Sequence, residues 1–409
     1  MTTWTNMPSD RPTVLDPAAT YAELREDGPI ARVTFPAGMT GWVVSRFDDV
    51  AAAFSHPLLS AQRFRFETAD ADPNGSPTQF SDTFFGMDGE DHSKFRRLLG
   101  GRFTVKAVRE RLEPYIESIV DDHLDIVEQG PDEFDFVQAV ALPIPSLVVC
   151  KILGVPISDI PAFNAVAVSM MNLSRPQAER ERDLEWIQDY IRSLVAEKRR
   201  QQSRDDDGLL ADLLSALKSG DAFFTEEDVV RIGAFLLVAG HDTTASMISL
   251  STLTLLTQPD HRARVVQEPE ISKIAVDELL RFLTIVHFGL ARTATQDFEF
   301  LGASIRRGET VVASLSAANR DPRMYEHPDL LDFDRQALRH VAFGFGAHQC
   351  LGQNVARAEL RSVLSKVFKR FPTLDLAIPV DKLRMQNETL NYGVAELPLL
   401  KGDAVRRSR

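Results

Sequence analysis

Cysteine is nearly absent from this 409-residue chain: Cys150 and Cys350 are its two thiols. Far apart in sequence and in no CxxC arrangement, they are not a disulfide framework and fit a reducing compartment. Long apolar runs are missing too. Ile232–Gly240 is among the longest, well short of the roughly 18 residues that a membrane-spanning helix needs. The first twenty residues are polar and carry proline, with no apolar signal-peptide core. The expected location is the cytoplasm, with no membrane partner. Positive charge is in deficit: 46 Lys and Arg face 59 Asp and Glu, a formal net charge of −13. That argues against a nucleic-acid partner. No internal repeat and no low-complexity tract is found.

What remains is an ordinary globular composition, 44% hydrophobic and 26% charged. Length alone suggests two or three domains. Such a chain buries roughly three quarters of its unfolded surface, enough to enclose a large cofactor. Two short segments, Ile30–Phe35 and Gly41–Phe47, joined at Pro36-Ala37-Gly38, predict a β-hairpin. From Asp91 to Phe282 the periodicity is mostly helical, as in Leu112, Ile116, Ile119, Val120 and Leu124. Two stretches predict long loops, Arg63–Gly86 and Met171–Arg180. The first carries Phe64, Phe66, Phe80, Phe84 and Phe85, which need something apolar to cover. Glu226–Thr257 predicts one long buried helix, opened by Thr225 with Asp228 and closed before Pro259. Strands are expected at Asp297–Leu301, Thr310–Leu315, Leu374–Val380 and Leu390–Leu397.

The strongest signal is Phe343 to Gly352, where Gly344, Gly346 and Gly352 surround Cys350. Glycine lets a tight turn approach a flat ligand and adopt positive φ. The following residues are helix-periodic, which puts Cys350 at a helix N-terminus, where backbone N–H groups favour a thiolate. A structural cysteine is the plainer reading of any lone thiol, and it is the one taken for Cys150. Here the whole pattern Phe-x-x-Gly-x-His-x-Cys-x-Gly is matched. On it the chain resembles the cytochrome P-450 family, in particular soluble actinobacterial members served by a separate reductase. Ala239-Gly240-His241-Asp242-Thr243-Thr244 is similar to the family's oxygen-binding motif. Glu278-Leu279-Leu280-Arg281 is similar to its Glu-x-x-Arg motif, Leu331–Arg335 to the stretch before the haem loop, and His92–Arg96 to its haem-edge helix.

The resemblance implies one domain over 1–409, mainly α with minor β. It would hold haem b between a long central helix and a cysteine loop. A β-containing part is expected over about 1–60, a helical body over 88–290 and 320–372, and small β segments over 291–315 and 374–400. Cys350 would ligate the iron. His92, Arg96, Ala239, Gly240, Arg292, Phe343, Gly344, His348 and Gly352 would also bind the cofactor. Buried propionates require cations. Glu278, Arg281 and Arg335 would form a buried network that positions the haem loop. Ala239 and Gly240 lack bulk, which permits a helix distortion and space for dioxygen. Asp242 and Thr243 would deliver protons, although a helical threonine hydroxyl commonly bonds back to its own helix.

The implied activity is insertion of one atom of O2 into an apolar organic substrate of secondary metabolism, such as a polyketide, macrolide, terpenoid or steroid-like molecule. Electrons would come from NAD(P)H through a ferredoxin reductase and a ferredoxin. Phe84, Phe85, Ala234, Val238, Val286, Leu290, Leu390 and Val394 would line the pocket, although apolar residues in such places are often plain core. A haem-thiolate enzyme of another reaction class and a non-catalytic haem sensor stay open, as does a haem-free carrier of apolar ligands. Two basic islands mark a candidate docking face for an acidic ferredoxin. His92–Arg111 holds seven basic side chains against Glu110, and Cys350–Arg370 holds five against Glu359.

Overall fold

The computed structural model describes residues 5–34, 40–62, 82–172, 174–201, 207–218, 223–268, 272–335 and 339–402. Helices dominate and the sheets are small, so the chain is mainly α with minor β. It forms two compact units, each from two stretches of chain. The first comprises Met1–Arg97 and Lys273–Leu351, the second Leu98–Ser272 and Gly352–Arg409.

The first unit is built on a six-stranded sheet. Its strands run in the order Thr5–Asn6, Ile30–Thr34, Thr40–Val44, Thr310–Ala313, Leu290–Ala294 and Leu59–Ser60. The expected hairpin is there, with Ile30 opposite Val44; its turn lies outside the described residues. Thr40–Val44 pairs in parallel with Thr310–Ala313, so an early and a late segment share one sheet. Val44, Val311, Leu315 and Phe47 form the core beneath it, since β-branched residues suit a pleated, buried surface.

Beyond Ala318 the first unit departs from expectation. The described residues of 320–335 and 339–352 are largely irregular, with one short 3-10 turn among them at Gly346–His348, and helix resumes only at Gln353–Arg370. Residues 284–289 are likewise not helical, because the preceding helix ends at Leu283. Pro322 and Pro328 remove backbone donors, and Gly344 and Gly346 have φ of +74° and +72°, outside helical geometry.

The second unit is helical, with a small sheet of Asp375–Leu376, Pro398–Leu400 and Glu133–Asp135. The long helix has the predicted bounds, Glu226–Thr257, and the capping box of Thr225 with Asp228 is formed. It packs against the helices Pro143–Leu153, Gln177–Gln201 and Gln353–Arg370. It runs unbroken through Ala239-Gly240. The space that Gly240 leaves is taken by Val149, whose Cγ2 would lie 3.1 Å from an added Cβ. The glycine therefore serves helix-to-helix approach.

Met171–Arg180 is not a long loop: one helix ends at Met171 and the next begins at Gln177. Leu390–Leu397 is not a strand either. It is a bridged turn, with Met385 opposite Val394, Thr389 opposite Asn172, and the Gln386 amide donating to Gly393 O at 2.9 Å. Most of 63–86, including Phe64, Phe66 and Phe80, lies outside the described residues. Among the described residues no helix is long and apolar enough to cross a membrane.

Candidate active site

In the first unit the Cys350 amide donates to Phe343 O at 2.8 Å, the Gly344 amide to Val341 O at 2.8 Å, and the Gln349 amide to Gly346 O at 3.1 Å. These bonds close a compact loop that presents an exposed thiol. The Gly346–His348 turn intervenes, so helix starts at Gln353 with Gly352 as its N-cap. Cys350 therefore precedes the first helical turn, and the helix contributes less to a thiolate than the sequence suggests.

Upstream, the loop is anchored by side chains. Arg281, fully buried, donates to both Glu278 oxygens at 2.7 and 2.6 Å, and to the carbonyls of Asn319, Pro328 and Leu330. Arg335 Nε and the Asp332 amide reach Glu278 Oε1 at 3.4 and 3.0 Å. Asn319 Oδ1 accepts the Val341 amide at 2.9 Å. The expected Glu278–Arg281–Arg335 cluster is thus formed, and it fixes the chain that leads into the cysteine loop.

Nitrogen-rich side chains gather beside that loop. His92, on the helix Gly89–Gly100, stacks on His348 with ring centroids 3.9 Å apart. Arg292, 5% exposed on the strand Leu290–Ala294, lies with its guanidinium 5.0 Å from the Phe54 ring centre and donates to Ala291 O at 2.9 Å. Burial, then the neighbouring His348 and Arg96, push His92 down to about 4. Burial also lowers Arg96, partly offset by the nearby Cys350. Sequence reading missed Asp88. Burial would raise its carboxyl, but hydrogen bonds from His348, the Ser60 hydroxyl and the Ala61 amide hold it well below the usual range. The available signal was its i,i+4 relation to His92.

In the second unit the long helix carries Ala234, Val238, Ala239, Gly240, Asp242 and Thr243. Ala234 and Val238 are each 1% exposed. Thr243 Oγ1 donates to Ala239 O at 2.9 Å. Its one proton is engaged, while its oxygen still accepts. Asp242 is 7% exposed and accepts a hydrogen bond from Asn391 Nδ2 at 3.0 Å. Asn391 was also missed; its only signal was polarity inside the apolar run Leu390–Leu397. On the same turn Leu390 is largely exposed and Val394 buried. Back in the first unit, Phe84 is buried and Phe85 exposed on one 3-10 turn, and Val286 and Leu290 pack on the core beneath the sheet. Cys150 is buried in the helix Pro143–Leu153, and burial raises its thiol to about 12, consistent with a structural role.

The basic islands are much reduced by pairing. Arg361, Lys366 and Arg370 are neutralised by Glu113, Glu117, Asp121, Asp125 and Glu128 on the helix Glu113–Gln129, and Arg102 by Asp212. Lys106, Arg109 and Arg111 remain exposed around the exposed Val105.

A thiol displayed by a glycine loop beside a histidine–arginine cluster, with an acid–alcohol pair on a long helix, defines the class. The family model for Cytochrome P450 matches residues 25–394. Cytochrome P450-SU2 of Streptomyces griseolus is 38% identical, covering 94% of this chain and 93% of that protein. Pentalenic acid synthase of Streptomyces avermitilis is 40% identical, covering 96% of each. The solved structure of CYP105P1 in complex with filipin I superposes with a TM-score of 0.88 at 36% identity, covering 97% of this chain and 99% of that one. The chain belongs to the cytochrome P450 family and is a P450 monooxygenase whose cofactor is haem.

The first unit's residues fit that cofactor. Haem brings a soft iron and two carboxylates. The described residues offer an exposed thiol beside a cluster of two histidines and two arginines, where His92 is lowered first by burial and then by repulsion from His348 and Arg96. Added anionic oxygens relieve that repulsion.

Proposed function

We propose that this enzyme inserts one atom of O2 into an apolar organic substrate of secondary metabolism. In this reading it works in the cytoplasm with electrons from NAD(P)H passed through a ferredoxin reductase and a ferredoxin. The observation that carries the reading is the meeting of His92, Arg96, Arg292 and His348 beside the Cys350 loop. The family match extends over parts of both units, which supports reading 1–409 as one functional domain.

When bound, haem supplies the activation of dioxygen and the transfer of its oxygen atom, with a thiolate ligand favouring O–O cleavage. This chain's residues do the rest. Cys350 holds the iron, and the Phe343, Gly344 and Gly352 loop keeps its thiol in place. His92, Arg96, Arg292 and His348 bind the propionates. Thr243 keeps a hydroxyl oxygen available to accept a hydrogen bond and order a water that carries protons. Asp242, a carboxylate that both takes up and returns protons, supplies them from solvent. Phe84, Phe85, Ala234, Val238, Val286, Leu290, Leu390 and Val394 shape the substrate side. Lys106, Arg109 and Arg111 receive the acidic donor.

The test is spectroscopic. Cys350→His abolishes the thiolate-type absorption of the reduced carbon monoxide complex, whereas Cys150→Ser leaves it intact; retention of that band in Cys350→His would sink the assignment. A ligand screen read by the Soret shift then names the substrate class.

A further inference from the structure

Among the described residues the buried Asp242 makes no ion pair. Its side-chain partner is a neutral amide, Asn391 Nδ2 at 3.0 Å. Three titratable groups on the same helix and on two packed helices are shifted toward their neutral forms. His241 on the same helix is fully buried and pushed by that burial toward its neutral form. Glu359, on the packed helix Gln353–Arg370, is held by burial toward its neutral acid. Cys150, on the packed helix Pro143–Leu153, is raised to about 12. A buried carboxylate therefore depends on Asn391 for direct compensation.

The turn that carries Asn391 is built for that contact. A Cβ on Gly393 would lie 2.7 Å from Ser246 Oγ and 2.8 Å from Gln386 Oε1, so only glycine lets the turn sit this close to the long helix. Asp242 and Ser246 are four apart and share one helix face. The turn is tied again on its far side: the Leu390 amide donates to Met171 O at 3.3 Å, and Thr389 bridges Asn172. Asn391 is thus held between the end of the helix Ile160–Met171 and Asp242, with exposed Leu390 as its neighbour.

We propose that Asn391 is a positioning residue that orients the Asp242 carboxylate for proton delivery. The inference rests on the reading of Asp242 as the relay acid. The amide fixes Oδ2 and leaves Oδ1 as the oxygen that exchanges protons. Because Asn391 and Leu390 share one turn, contact at Leu390 bears on the orientation of the acid.

The test uses the haem-loaded enzyme with a plant-type ferredoxin and its reductase. The carboxylate band of Asp242 is isolated by infrared difference between wild type and Asp242→Asn. In Asn391→Leu, similar in size but without a donor, that band shifts and broadens. NAD(P)H consumption falls about three- to tenfold, a part of what a positioned acid contributes, and the melting temperature falls too, since a buried carboxylate loses its donor. An unchanged band and rate in Asn391→Leu overturn the inference. If Asp242→Asn itself leaves consumption unchanged, the relay reading falls as well; if Asp242→Asn is slow while Asn391→Leu behaves as wild type, only the positioning role falls.

Discussion

The two units bury polarity in opposite ways. The first buries charge: Arg281 and Glu278 are fully enclosed, and Arg320, Asp321 and Arg292 nearly so. Its described residues 320–335 and 339–345 join no ladder, so guanidinium forks take the place of a neighbouring strand. Arg281 serves the carbonyls of Asn319, Pro328 and Leu330, Arg335 those of Glu326 and His327, and Arg320 that of Phe282. In the second unit the long helix satisfies its own carbonyls. Several of its hydroxyls bond back to them, as Thr243, Ser249 and Thr254 do, while His241 and Glu359 are driven toward neutrality. Buried guanidinium forks thus serve an irregular segment in the first unit, while on the long helix the buried carboxylate of Asp242 is met by the Asn391 amide.

One matched substitution exposes the contrast most strongly. Glu278→Gln leaves Arg281 and Arg335 without their carboxylate, and denaturant unfolding should show a loss of about 3–5 kcal/mol with poor haem retention. Equal tolerance of this change and of Glu359→Gln would break the comparison. Thr243→Ala asks whether a hydroxyl bonded back to its helix does anything further. Product formed per NAD(P)H consumed should fall several-fold, with more peroxide released and stability changed by no more than about 1 kcal/mol. Ser249→Ala, which loses the same kind of bond, should leave that ratio alone. Wild-type coupling in Thr243→Ala would reduce its hydroxyl to a structural one.

Smaller effects sharpen the same contrast. Burial raises the Glu359 carboxyl well above its ordinary 4.5. The native state then holds a proton that the unfolded chain releases, so this group's contribution is full below 4.5 and declines as pH rises. Glu359→Gln should match wild type near pH 4 and exceed it at pH 8 in urea midpoint; the reverse order would contradict a buried neutral acid. The least effect is expected at the surface. Lys106→Glu should slow reduction by ferredoxin a few-fold at low salt and little at high salt. Lys366→Glu should do less, since Glu117 and Asp121 already pair with Lys366. Insensitivity of Lys106→Glu to ionic strength would remove the docking face.

The long helix was legible to the residue, because its capping box and apolar periodicity are local signals. The hairpin strands were legible except at their ends, since the second runs Thr40–Val44 and Phe47 opens a helix, and so was the cysteine loop, whose glycines announce positive φ, although its helix starts only at Gln353. Residues 320–352 were not. Their order comes from Arg281 and Glu278, far off in sequence, and no periodicity encodes a guanidinium fork. Asn391 and Asp88 escaped for the same reason: each matters through a partner that only the fold supplies. The charge islands misled because a count along the chain cannot see the acids facing Arg361, Lys366 and Arg370 from another helix.

The forks of Arg281 set an order of events at the ribosome. The helix Ser272–Leu283 is synthesised before the segment it will hold, and until that segment emerges its arginine has an ion pair but no carbonyls to serve. Asn319, Pro328 and Leu330 gain these bonds only when they reach that waiting donor. Guanidinium ion, a soluble copy of the same fork, competes for the Glu278 carboxylate as well as for those carbonyls, whereas urea, a neutral donor, competes for the carbonyls alone. This segment is therefore the place where the two denaturants part company.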